Sequence, residues 1–168
     1  TFTAANGTAP YTITYTINGG ANQTVTTVGT TATVTAPTGA AGTFTYSLVS
    51  VQDAGVTTCT QNQIGSAVIT VNPLPTATIS GATAVCVGAA QPTVTFTGAA
   101  GTAPYTFTYT INGGANLTVT SVGNTATVSA PTTAAGTFNY SLVSVQDAST
   151  TACTQAQVGS TIITVNPL

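Results

Sequence analysis

The chain has 168 residues, no Lys, Arg, His, Met or Trp, and only two acids, Asp53 and Asp147, for a net charge of −2. That inventory supplies no cation for phosphate contacts, no titratable group near neutral pH and no carboxylate pair within one stretch, so nucleic-acid binding and acid–base catalysis are not expected. With 42% hydrophobic residues and 42 threonines, the composition is not that of a charged, apolar-poor disordered chain. Strand formers dominate and the strong helix formers are nearly absent, which predicts an all-β protein with a buried core. No apolar run approaches the 18 residues of a membrane span, so membrane insertion is not expected.

The first element in chain order is a hairpin. Gly7–Asn22 alternates Tyr11, Ile13, Tyr15 and Ile17 with threonines, the period-2 pattern of a strand with one buried face. Asn18-Gly19 then supplies two residues that tolerate positive φ, as a tight hairpin turn requires. The stretch recurs at Gly101–Asn116, with Phe107 for Ile13 and the turn at Asn112-Gly113. A shift of 94 residues in fact superposes Thr1–Leu74 on Thr95–Leu168 with only 16 differences. Such a period marks a tandem array of small domains. The reading is a repeat over 1–74 that lacks its first two strands, followed by a complete repeat over 75–168, together cut from a longer array.

Within the complete repeat about seven strands are expected. Ala77–Ser80 comes first, with Ala84–Val87 as a short second piece, then Thr93–Thr97. The hairpin follows as Tyr105–Ile111 and Leu117–Val122, with Leu117, Val119 and Val122 as the return strand's apolar residues. Thr125–Ser129, Thr137–Val145 and Thr161–Val165 complete the set. The inward set changes parity between Leu142 and Val143, which predicts a β-bulge, with Val143 and Val145 continuing inward. Short strands at this spacing, broken by Gly, Pro and Asn, signal a β-sandwich.

Ala135–Ala148, AGTFNYSLVSVQDA, resembles the penultimate strand of immunoglobulin-like and PKD-like domains. The whole period, PTATISG…VCVG…FTG…GTAPYTFTYTINGG…TVNPL, resembles Ig-like tandem repeats of giant cell-surface adhesins and extracellular filaments of Bacteroidetes-type bacteria. The resemblance implies an immunoglobulin-like sandwich and a non-catalytic structural role outside the cell, as a stalk or filament at the cell surface. It implies as partners the neighbouring repeats of the same chain or identical subunits of a filament. The inter-sheet cysteine pair and Trp of antibody domains are absent here.

Cys59 and Cys153 are equivalent under the 94-residue shift, and Cys86 has no counterpart after Thr1. Each complete repeat thus carries one early and one late cysteine. Two thiols without His or nearby carboxylates make a poor zinc site, so a disulfide is favoured over a metal or a buried thiol. Placing the boundary at Pro73–Pro75 makes the bond Cys86–Cys153, with the partner of Cys59 outside the chain; another cut would pair Cys59 with Cys86. Asp53 and Asp147 occupy equivalent VQDA positions. One acid per repeat is too few for calcium, so each is expected to cap a local turn. No cofactor is expected.

The expected function is a structural repeat that gives length and stiffness, because Asn72-Pro73-Leu74-Pro75 joins the repeats without a flexible spacer. Two alternatives stand beside it. The tyrosines Tyr11, Tyr15, Tyr46, Tyr105, Tyr109 and Tyr140 could stack on sugars of a glycan ligand, although their parity puts them in the core. The rows Thr12-Thr14-Thr16 and Thr106-Thr108-Thr110 could form an ice-binding array, although a sandwich sheet twists.

Overall fold

The computed structural model describes all residues, Thr1–Leu168. Every regular element is a β-strand, as the composition requires. The chain divides into two compact units, Thr1–Val71 and Asn72–Leu168.

The first unit holds seven strands: β1 (Phe2–Thr3), β2 (Thr12–Ile17), β3 (Gln23–Thr26), β4 (Thr31–Ala32), β5 (Gly42–Gln52), β6 (Thr60–Asn62) and β7 (Ser66–Val71). Its larger sheet runs β3-β2-β5-β6, with β7 also on β5, and β1 pairs with β4 alone. The second unit holds nine: β8 (Thr76–Ser80), β9 (Thr83–Cys86), β10 (Thr93–Ala99), β11 (Thr106–Ile111), β12 (Leu117–Thr120), β13 (Thr125–Ser129), β14 (Gly136–Gln146), β15 (Thr154–Ala156) and β16 (Ser160–Asn166). That is more than the seven expected. β15 has no apolar alternation to betray it, and it exists because β14 offers it a free ladder at Ser144–Gln146.

In the second unit one sheet is β13-β10-β8 and the other is β12-β11-β14-β16-β9. Val94, Phe96, Ala77 and Ala126 from the first meet Phe107, Tyr109, Tyr140, Leu142, Val145, Ile163 and Val165 from the second in one core. Every ladder is antiparallel except β9 on β16, where Cys86 partners Asn166. The first strand segment is therefore split, β8 going to one sheet and β9 to the other.

The two hairpin turns form as their residues dictate. Asn18 and Gly19 have φ of 51° and 69°, Asn112 and Gly113 of 51° and 70°, the doubly left-handed geometry of a type I′ turn. Asn112 does more than turn. Its Nδ2 donates to the Thr137 carbonyl at 3.1 Å and its Oδ1 accepts from the Asn139 amide at 2.8 Å, so the side chain extends the ladder onto β14. Asn18 repeats both bonds with Thr43 and Thr45.

The bulge falls where the parity change places it, but with a different inward set. Thr108 partners Ser144 while Tyr109 partners Leu142, so Val143 is the extra residue. Leu142 and Val145 are buried and Val143 points outward. Val122 is likewise not a strand residue: it closes the tight Val122–Thr125 turn and is 92% exposed.

Candidate functional site

Two ends of the second unit concentrate its polar chemistry. At the N-terminal end the chain comes in through Asn72–Pro75. Pro75 is buried, Thr76 partners Ala99, and the Asn72 amide donates from Nδ2 to Thr151 Oγ1 at 2.9 Å. The Ala99–Thr102 turn and the Ala148–Cys153 loop lie here, tied by the bond from the Ala148 amide to the Thr102 carbonyl at 2.8 Å.

Asp147 sits at the centre of this end and is only 4% exposed. One carboxylate oxygen accepts from the Thr102 amide at 3.0 Å, the other from the Ser149 hydroxyl at 2.8 Å. Gly101 permits the close approach: a Cβ there would lie 2.7 Å from Asp147 Oδ2. Asp53 makes the equivalent clamp with the amides of Cys59 at 2.7 Å and Thr8 at 3.3 Å. Gly55 stands in the first unit where Ser149 stands in the second. Both carboxylates are thus local loop clamps, with oxygens engaged by amides and hydroxyls.

The adjoining Tyr105 has a polar role beyond the core packing and sugar stacking that sequence reasoning weighed for it. Its hydroxyl donates to the Gly101 carbonyl at 2.8 Å, and its amide donates to Ser121 Oγ at 2.7 Å. Gly98 leaves room for the ring, since a Cβ would fall 2.5 Å from Tyr105 here; the first unit has Ala4 at the corresponding position. Tyr11 repeats the arrangement with Gly7 and Thr27. The signal was present in the repeat comparison: position 27 is Thr and its counterpart Ser121, so the hydroxyl persists where the residue changes. All six tyrosines are buried, their rings packed inside rather than offered to solvent. The threonines of the T-x-T-x-T rows are half-exposed, and Thr106 lies 3.3 Å, oxygen to oxygen, from the exposed Thr120 on β12.

At the C-terminal end Asn166 leaves beside Cys86. This placement corrects the expected disulfide. Cys59, Cys86 and Cys153 are all unbonded. Cys86 lies level with the start of β14, through Asn166 of the adjoining β16 and Gly136↔Val165, whereas the Cys153 carbonyl accepts from Asp147, just past the end of β14. The eleven residues of β14 separate them, roughly 36 Å at strand rise. A disulfide needs Cα atoms within about 7 Å, so Cys86 and Cys153 of one unit do not bond. Loop lengths in sequence cannot show that the two cysteines fall at opposite ends of one strand.

In the first unit a cleft of about 280 Å³ is lined by Ala4, Asn6, Ile13, Leu48, Val51 and Gln61 among others, without a titratable side chain. No cluster of three or more Cys and Asp side chains occurs in either unit.

The titrating groups set the pH response. The Cys59 amide, then that of Thr8, holds the Asp53 carboxyl below its ordinary value. Burial works to raise Asp147, but the Thr102 amide, the Ser149 hydroxyl and further amides outweigh it and leave it lowered. Burial raises Tyr109, and raises Tyr140 together with the neighbouring Tyr109. A lowered folded pKa gives stability that is present above the unfolded carboxyl value of about 4 and is lost as pH falls through the folded one. A raised tyrosine gives stability that is present below about pH 10 and is lost as pH rises through its folded value. Melting midpoints should therefore be level from pH 5 to 8 and fall on both flanks. A midpoint that drifts by more than about 5 °C between pH 5 and 8, on the order of 1 kcal/mol, contradicts this assignment.

No family model matches the chain, and no curated protein matches it by sequence.

Proposed function

We propose that the chain is a piece of an extracellular bacterial surface filament or adhesin stalk, built from immunoglobulin-like repeats and serving as a non-catalytic spacer. The observation that carries this reading is the placement of the termini in the second unit. The backbone arrives at the Asp147 end and leaves at the Cys86 end, with the full length of β14 between them. Near-identical repeats with such termini lengthen an array with each copy instead of doubling back. The strand pattern supports an immunoglobulin-like assignment. A first strand divided between sheets, a parallel pairing of its second half with the last strand, and facing sheets of unequal size follow that sandwich's plan. Two polypeptide features suit exposure to uncontrolled surroundings: almost no charge to screen, and stability that does not depend on a proton near neutral pH.

The test is electron microscopy of the intact protein at its native cell surface. Thin filaments with an axial period near 40 Å are expected, from the roughly 36 Å rise of an eleven-residue strand plus its loops. Compact particles without an axial repeat would overturn the spacer reading.

A further inference from the structure

We propose that a disulfide joins Cys86 of each repeat to the cysteine at the Cys153 position of the repeat that follows it. The inference rests on the array reading above and on geometry within the second unit alone.

Cys86 partners Asn166 across the parallel β9–β16 ladder. Partnered residues on neighbouring strands lie about 5 Å apart and direct their side chains to the same face. The 94-residue shift carries Asn166 onto Asn72, and Asn72 is the first residue of the second unit. There its side chain has a definite destination. Nδ2 donates to Thr151 Oγ1 at 2.9 Å, and Thr151 Oγ1 lies 3.2 Å from Cys153 Sγ. A cysteine partnering Asn72, as Cys86 partners Asn166, would emerge beside an amide bonded to the hydroxyl that touches the Cys153 thiol. Asn, Thr and Cys recur at the corresponding positions of the other repeat, at Asn166, Thr57 and Cys59. The same arrangement also accounts for three unbonded cysteines in this chain. Cys86 pairs forward beyond Leu168, while Cys59 and Cys153 pair backward with cysteines ahead of Thr1.

The bond forms by exchange with a disulfide-bearing thiol oxidant. The thiolate at the Cys153 position attacks the oxidant's disulfide and displaces one of its sulfurs as a thiol. The Cys86 thiolate of the preceding repeat then attacks that mixed disulfide and displaces the second. Two protons leave the protein thiols, and the two electrons reside in the oxidant's reduced dithiol.

Counting thiols in the unreduced, denatured full-length protein decides between the pairings without resolving near-identical peptides. The unaltered protein should show no reactive thiol at interior repeats. The double variant C86S/C153S should expose two, one from each neighbouring repeat, and C59S/C86S should also expose two. No new thiol in C86S/C153S would mean pairing within the repeat, and none in C59S/C86S would mean pairing of Cys86 with the repeat before it; either overturns the proposal. Reactive cysteines throughout the unaltered protein overturn it as well. The outcome is separable from that of the array reading. Filaments with the wrong thiol count sink only the bond, whereas the expected count in a compact particle sinks only the spacer.

Discussion

Replacing Phe96 by Ala should lower the melting midpoint of the second unit by more than about 15 °C. Phe96 is fully buried on β10, with its ring centroid 5.6 Å from that of Phe107 and 4.9 Å from that of Tyr109. It is the largest side chain that the three-stranded sheet gives to the shared core. Truncating such a ring costs about 3–5 kcal/mol, from lost transfer energy and the cavity left behind. That is a large part of the 5–15 kcal/mol net stability typical of a domain, and each kcal/mol is worth roughly 4–8 °C at this size. Val122→Ala, at an exposed turn position, is the matched control and should change stability by less than about 0.5 kcal/mol. Calorimetry of the 168-residue chain reads both. A Phe96→Ala midpoint within a few degrees of the parent would show that the two sheets do not depend on this contact.

The same calorimetric trace should show two transitions, the lower one from the first unit. Its β7 has the sequence of β16 with two changes in the overlapping span, yet Ile69 is 40% exposed where Ile163 is fully buried. The difference lies in what covers them. In the second unit β8, β9 and the residue just after β9 contribute Ala77, Ile79, Val85 and Val87 to the core, and β9 completes the β16 ladder. The chain from Thr1 carries no counterpart of either strand. At about 1.5–3 kcal/mol for each fully buried aliphatic side chain, partial burial of this set amounts to several kcal/mol. The bare β7 edge adds an aggregation hazard. Extending the chain at its N-terminus with a copy of Pro75–Val94 should raise the lower transition toward the upper and suppress aggregation. An extension that leaves the lower transition where it was would mean that the exposed face of β7 is not where those strands belong.

These expectations depend on features legible to very different degrees in the amino-acid order. The all-β class, the repeat and the two hairpins follow from local chemistry. Alternation places Tyr105, Phe107 and Tyr109 on one face, and Asn112-Gly113 accepts the positive φ of a two-residue turn whatever surrounds it. The slip in β14 was legible as a parity change, but not its inward set. Whether Val143 or its neighbour is the extra residue depends on which register lets Leu142 and Val145 both reach the core opposite β11. Val122 was misplaced for a related reason, since an apolar residue in a short segment looks the same whether it pairs or turns. The bond of Asp147 to the Thr102 amide, the ladder-extending amide of Asn112 and the parallel seating of β9 on β16 join residues 25 to 80 positions apart. Only the folded sheets decide those neighbours. The cysteines show the limit most clearly: their count and period were plain in the chain, but the length of β14, lying between Cys86 and Cys153, determines that they cannot meet within one unit. Local preference acts over a few residues of backbone, whereas pairing across a sheet is a choice among many distant partners that burial of the whole core makes at once.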